Sequence, residues 1–97
     1  LILKIIIHYE MGNLRLMQYL IKTAQYHITK RNLMFQTEKI AIQYLKKLSR
    51  KSNQKKHKII FNNFYKDIID LTNNNEYERR SLEIFDFETW LAYKTHN

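Results

Sequence analysis

The chain has 97 residues, of which 44% are hydrophobic and 27% charged, and its formal net charge is +8. This length supports one hydrophobic core, so we expect a single helical domain over residues 1–97 and no separate catalytic domain beside it. The sequence has no cysteine, no proline and one glycine. These counts exclude disulfides, thiolate zinc sites and glycine-rich phosphate loops, and they favour an all-α fold over strands joined by tight turns.

The first two helices are predicted from the apolar pattern on either side of the single glycine. Residues 1–11 are apolar on nearly every side, which is typical of a buried helix, and Gly12 ends that helix. Asn13 is suited to cap the next helix, because its side-chain carbonyl can accept from an unpaired backbone N–H. The second helix carries an apolar stripe at intervals of three and four residues, formed by Leu14, Met17, Ile21, Ala24 and Ile28.

Three further helices are predicted from the rest of the chain. The third runs from Leu33 to about Ser49, and the fourth begins near residue 54. Asn75 and Glu78 resemble a capping box, so a last helix should begin there. Its predicted core residues are Tyr77, Ile84, Phe87 and Leu91, joined by Leu82, Phe85 and Trp90, and its predicted outer acidic residues are Glu76, Glu78, Glu83, Asp86 and Glu88.

The spacing of these helices favours a particular arrangement. Successive helix starts lie about 20 residues apart, and connections this short make neighbouring helices antiparallel. A series of similar antiparallel hairpins is typical of an α-solenoid, and a closed bundle of four or five helices is the alternative. Because the helical pattern is already present at Leu1, we expect the chain to be the C-terminal end of a longer helical-repeat protein.

The basic residues are concentrated between residues 46 and 58. This basic segment contains seven cationic side chains and no acidic one: Lys46, Lys47, Arg50, Lys51, Lys55, Lys56 and Lys58. Such a cluster can bind nucleic acid or another anion, because Lys and Arg release the counterions held by phosphates. A solvated connection between two helices explains the same pattern. Binding to nucleic acid is therefore the alternative function.

The region around Gly12 resembles a known helical repeat. Residues 9–14 read Tyr-Glu-Met-Gly-Asn-Leu, and Met17, Ile21 and Ala24 follow at the spacing of a helix–helix contact. This segment resembles the turn and second helix of a tetratricopeptide repeat (TPR), with Leu14 in the place of the usual aromatic residue. The resemblance covers residues 1 to about 31. It implies a TPR-like scaffold for protein partners and brings no catalytic residues with it.

Little in the sequence points to catalysis or to a metal site. The four histidines, His8, His27, His57 and His96, lack the spacing of metal ligands. Asp67 and Asp70 share one helical face, but two carboxylates alone make a weak cation or acid–base site. We expect no enzyme activity and no cofactor.

The sequence therefore predicts a non-catalytic scaffold that presents a surface to a protein or peptide partner. The candidate partner-binding face lies on the second helix and comprises Arg15, Gln18, Lys22 and Gln25. Exposed tyrosines could extend this face into a groove, and the candidates are Tyr19, Tyr26 and Tyr65. We also expect self-association through the apolar face of Leu1–Ile7. No stretch approaches the ~18 apolar residues of a membrane span, so we expect a cytoplasmic protein without a membrane partner.

Overall fold

The computed structural model describes residues 2–31 and 35–96, and the regular secondary structure within these ranges is helical. The all-α prediction is confirmed. The helices are α1 (Ile2–Glu10), α2 (Leu14–Arg31), α3 (Gln36–Leu48), α4 (Gln54–Asn74), two single turns α5 (Glu76–Arg79) and α6 (Ser81–Ile84), and α7 (Phe87–His96). The predicted start of the third helix at Leu33 lies outside the described residues. None of the described helices is long and apolar enough to cross a lipid bilayer.

Gly12 and Asn13 form the turn between α1 and α2 as predicted. Gly12 has a φ of 75°, in the left-handed region where a side chain would be strained. Its N–H donates to the Tyr9 carbonyl at 3.0 Å, and the Asn13 N–H donates to the His8 carbonyl at 2.9 Å. These two bonds are those of a Schellman motif, which occupies carbonyls that the end of α1 leaves unpaired. Asn13 Oδ1 then accepts from the Leu16 N–H at 3.4 Å and caps α2.

One continuous core joins the helices. α1 packs against α2 and α3, α2 also packs against α3, and α4 lies between α3 and α7. The core includes the fully buried side chains of Ile5, Met17, Leu45, Phe64 and Leu91. The Cα atoms extend over 35 × 32 × 16 Å, so the molecule is flat.

The N-terminus of α3 is capped by a side chain from a distant part of the chain. Phe35 occupies the N-cap position and its side chain makes no capping bond. Instead, Glu78 Oε2 accepts from the Gln36 N–H and Glu78 Oε1 accepts from the Thr37 N–H, both at 3.0 Å. The predicted N-cap at Asn75 is confirmed, because its side chain accepts from the Glu78 N–H at 3.1 Å. The expectation that Glu78 lies on an outer polar face is wrong, because this carboxylate is buried beneath α3.

The last predicted helix is divided into α5, α6 and α7. The chain leaves helical geometry at Phe85, which has an extended backbone with φ −151° and ψ 127°. Asp86 then starts α7, because its Oδ1 accepts from the Thr89 N–H at 3.0 Å. The break changes which residues face the core. Of the predicted core residues, Phe87 and Leu91 are buried and Trp90 is partly buried, whereas Tyr77 and Ile84 are exposed.

The apolar face of α1 is only partly covered. Ile2, Ile5 and Ile6 are buried in the core. Leu3 and Ile7 lie one turn apart and are 51% and 46% exposed. Leu1 lies outside the described residues. Self-association through this face stays a prediction, and it would depend on Leu3 and Ile7.

Candidate functional site

A cleft of about 220 Å³ lies between α2 and the C-terminal end of α3, and we call it the α2–α3 cleft. Its lining residues are Gln18, Ile21, Lys22, Gln25, Lys46, Ser49 and Arg50. Three of them belong to the predicted partner-binding face, and two belong to the basic segment. The fold therefore joins, in one concave surface, two features that the sequence analysis treated separately.

The polar backbone groups nearest the α2–α3 cleft have partners within the chain. Gln18 Nε2 donates to the Ser49 carbonyl at 2.9 Å, which ties α2 to the end of α3. Ser49 Oγ in turn donates to the Lys46 carbonyl at 2.7 Å. The side chains of Lys22, Lys46 and Arg50 are exposed, and no acidic residue lines the cleft. A ligand entering here meets cationic groups rather than unpaired carbonyls.

A second and larger cleft, of about 610 Å³, lies where α1, α4 and α7 meet. We call it the aromatic cleft. Its lining residues are Tyr9, Gln54, Lys55, His57, Lys58, Phe61, Tyr93 and Lys94. Three lysines and four aromatic or imidazole rings thus line one cavity, although they come from both ends of the chain and its middle.

The inner wall of the aromatic cleft is fixed by contacts among its rings. The Tyr9 hydroxyl is hydrogen-bonded to His57 Nδ1 at 2.8 Å. Phe61 meets the Tyr9 ring edge-on at 5.7 Å and the Trp90 ring edge-on at 5.5 Å between centroids. Burial, with a smaller contribution from the Glu10 carboxylate, raises the pKa of Tyr9 to about 12. The Tyr9 phenol therefore stays neutral at physiological pH and keeps its hydrogen bond.

Glu10 connects the two ends of the chain at the edge of this cleft. Its carboxylate lies 2.6 Å from Lys94 Nζ and accepts from Trp90 Nε1 at 3.1 Å. Lys94 Nζ also lies 5.6 Å from the centre of the Tyr9 ring and 5.9 Å from that of Tyr93. The charge of Lys94 is therefore balanced and its position is held by the surrounding groups.

Lys55 and Lys58 supply the uncompensated charge of the aromatic cleft. Both are exposed, and neither has a carboxylate within 4.0 Å among residues 2–31 and 35–96. They lie near the start of α4, whose first turn contains no acidic residue. Lys55 is the second residue of α4, where a cation faces the positive end of the helix dipole, which disfavours it by about 0.3–1 kcal/mol. An anion bound at this end would relieve that repulsion.

The remaining predicted site residues line neither cleft. Arg15, Lys51 and Lys56 are exposed elsewhere on the surface, and Lys47 lies over the Tyr44 ring at 5.0 Å. The candidate tyrosines also lie apart from both clefts: Tyr19 and Tyr26 are exposed, and Tyr65 is packed against the core. The basic segment is thus divided, with Lys46 and Arg50 at one cleft and Lys55 and Lys58 at the other.

One member of the predicted carboxylate pair makes a contact between helices. Asp67 accepts a hydrogen bond from the Tyr44 hydroxyl, which joins α4 to α3. Burial and this carboxylate raise the pKa of Tyr44 to about 12. Within the described part of the chain, no group of three or more His, Cys, Asp or Glu side chains could hold a metal ion. Asp67 therefore has a place in the packing of the fold.

Sequence reasoning missed the aromatic cleft. It considered Tyr9 and Glu10 as part of the segment that resembles a TPR, and it did not connect them with Tyr93 and Lys94. Glu10 and Lys94 are 84 positions apart in the sequence, and no local motif predicts a contact between residues so far apart. The available signal was compositional, because Phe61, Trp90 and Tyr93 carry large rings close to lysines.

Comparison of the chain with protein-family models, with curated proteins and with solved structures finds no match.

Proposed function

We propose that the chain is a non-catalytic helical scaffold that binds an acidic segment of a partner protein in the α2–α3 cleft. The observation that carries this proposal is the convergence of Lys22, Lys46 and Arg50 on one cleft without an acidic residue in its lining. Two of these cations come from α3 and its C-terminal connection, and the third comes from α2. Carboxylates are matched to such a site, and Arg50 can bind one in a bidentate manner.

The size of the α2–α3 cleft favours a segment of a larger partner over a small molecule. Small-molecule sites usually enclose roughly 300–1,000 Å³, and this cleft has about 220 Å³. It can take one or two side chains, while the rest of a peptide lies across the exposed lysines. Ile21 lines the cleft between Gln18 and Gln25, so an apolar side chain flanked by Asp or Glu fits its chemistry.

A stacked arrangement of helical hairpins belongs to the same proposal. α1 packs against both α2 and α3, as expected where consecutive hairpins share an interface. The turn at Gly12, which carries the TPR resemblance, has the Schellman geometry that a tight helix–helix connection requires. Both features support a scaffold whose binding surface lies between adjacent hairpins.

Selection from a random peptide library displayed on phage tests the proposal. The unaltered chain should select peptides rich in Asp and Glu around one apolar residue. A charge-reversed variant, Lys22→Glu with Arg50→Glu, should lose that selection. The matched control is Lys4→Glu with Lys66→Glu, which changes the net charge equally at exposed positions outside both clefts.

Two results would contradict the proposal. One is a selected set without acidic enrichment. The other is equal loss of peptide affinity in the cleft variant and in the control, which would show that net charge rather than the cleft attracts the peptides. Circular dichroism of both variants should match that of the unaltered chain, because all four positions are exposed.

A further inference from the structure

We propose that the aromatic cleft is a separate binding site for single-stranded nucleic acid, in which an unpaired base stacks on Tyr93 and the flanking phosphates contact Lys55 and Lys58. This site shares no lining residue with the α2–α3 cleft. The inference therefore stands or falls independently of the scaffold function.

A base that enters this cleft needs an exposed ring on which to stack. Phe61 is buried, and Tyr9 is engaged with His57, so these rings form the floor of the cleft. Tyr93 is 63% exposed and lies at the edge of the same cavity. A base presents a flat π-face of similar size, and stacking on an exposed aromatic side chain does not depend on the base sequence.

The positive charge available to phosphates in this cleft comes from lysines near the start of α4. Lys94 is already paired with Glu10 and serves to hold the wall of the cleft. Lys55 and Lys58 are exposed and are three positions apart, so they lie on one side of α4. Lys55 and Lys56 lie in the first turn of α4, where positive charge opposes the helix dipole. Phosphates bound by these lysines would convert an unfavourable arrangement into a favourable one.

The shape of the cleft favours a single strand over a duplex. In a duplex the bases are paired and stacked on each other, so no base is available to stack on Tyr93. Only the phosphate backbone of a duplex could contact the lysines. The aromatic cleft places a concave, ring-lined space of about 610 Å³ directly beside the cations. This space is large enough for an unpaired base with its sugar, and Gln54 is among its lining residues.

Fluorescence anisotropy with a short fluorescein-labelled oligothymidylate, measured between about 50 and 200 mM salt, tests the proposal. The single strand should bind more tightly than a duplex of equal length. Tyr93→Ala should weaken binding by roughly 5- to 150-fold, the range measured for loss of one stacked base, and should leave the salt slope unchanged. Lys55→Gln and Lys58→Gln should each reduce the slope of log K against log salt by about 0.7.

Matched controls separate the site from general charge and from general tyrosine exposure. Tyr19→Ala removes a tyrosine that is 65% exposed on α2, outside the cleft, and should leave affinity unchanged. Lys66→Gln removes an exposed lysine further along α4 and should leave the salt slope unchanged. An abasic oligonucleotide, which keeps its phosphates but lacks bases, should bind the unaltered chain as weakly as oligothymidylate binds Tyr93→Ala.

Three outcomes would overturn the proposal. The first is an affinity of Tyr93→Ala within twofold of the unaltered chain, which would leave a phosphate-binding patch without a base site. The second is equal binding of duplex and single strand. The third is no binding of any oligonucleotide at the lowest salt. A positive peptide selection at the α2–α3 cleft would not rescue the inference in any of these cases.

Discussion

Glu78 offers a sharp test of how the fold is held together. This buried carboxylate caps α3 by accepting from the backbone N–H groups of Gln36 and Thr37. The substitution Glu78→Ala removes both acceptors and leaves the two N–H groups without their partner. Glu78→Gln keeps one oxygen acceptor and turns an NH₂ group towards the other N–H. The two substitutions should therefore differ in effect, and the difference between them reports the hydrogen bond that glutamine keeps.

The magnitude follows from the two bonds. A hydrogen bond to a charged group contributes about 1.5–3 kcal/mol to stability, and burial of the carboxylate offsets part of that gain. We expect Glu78→Ala to lower the free energy of unfolding by about 2–4 kcal/mol and Glu78→Gln by about 1–3 kcal/mol. In a domain of this size each kcal/mol shifts Tm by roughly 4–8 °C, so the alanine variant should melt at least ~8 °C lower.

Urea unfolding followed by circular dichroism gives the free energies, and hydrogen exchange of the Gln36 and Thr37 amides locates the effect. Glu76→Ala is the matched control, because Glu76 belongs to the same short helix and is exposed. The reasoning is refuted if Glu78→Ala unfolds within about 0.5 kcal/mol of the unaltered chain, the range of an ordinary surface substitution. It is also refuted if the two amides exchange no faster in that variant.

Two further predictions concern helix ends. Gly12→Ala should lower the free energy of unfolding by about 1–2 kcal/mol in urea titration, because its φ of 75° strains a side chain; the space around it is open, so Gly12→Ser should cost a similar amount. Asp86 has a pKa lowered by its bonds to the Thr89 side chain and backbone. The ionised Asp86 side chain therefore contributes stability that is fully present above its ordinary pKa of 3.8. This stability is lost as the pH falls through the lower pKa of the folded state. Asp86→Asn should keep the helix cap but should lose less stability at acid pH than the unaltered chain does. If the two chains lose stability equally at acid pH, Asp86 is not the group responsible.

Local signals in the sequence were sufficient for the helices and for most of the core. The Gly12–Asn13 turn, the start of α4 after Asn53 and the N-cap at Asn75 all depend on residues within one helical turn. The buried positions of α2, α3 and α4 follow the 3.6-residue period. These features were predictable because their partners are neighbours along the chain.

The division of the last helix was missed although a local signal was present. Asp86, three residues before Thr89, is a typical helix start. Its significance was hidden because the apolar pattern runs through Phe85 and Phe87 without a glycine or proline to mark the break. Glu78 shows the opposite case. Its position after Asn75 was read correctly as a helix start, while the use of its side chain by α3 is a tertiary contact that spans more than 40 residues.

The candidate sites were predictable only as separate lists. The basic segment and the partner-binding face were both identified from composition and periodicity. They lie together in the α2–α3 cleft because α2 packs on the end of α3, where Gln18 is hydrogen-bonded to Ser49. This packing is a tertiary contact that neither pattern contains. The aromatic cleft was not predicted from the sequence, because Tyr9 and Tyr93 line one cavity only when α1 and α7 meet the start of α4.

The bond between Glu10 and Lys94 also sets an order of events during synthesis. A ribosome adds roughly 5–20 residues each second, so the 84 positions between these two residues take roughly 4–17 s to translate. During that interval Glu10 and the Tyr9 ring have emerged without the helix that completes their surroundings. The aromatic cleft is therefore complete only after α7 has been synthesised, and a nascent chain that pauses before α7 lacks Tyr93, Lys94 and this site.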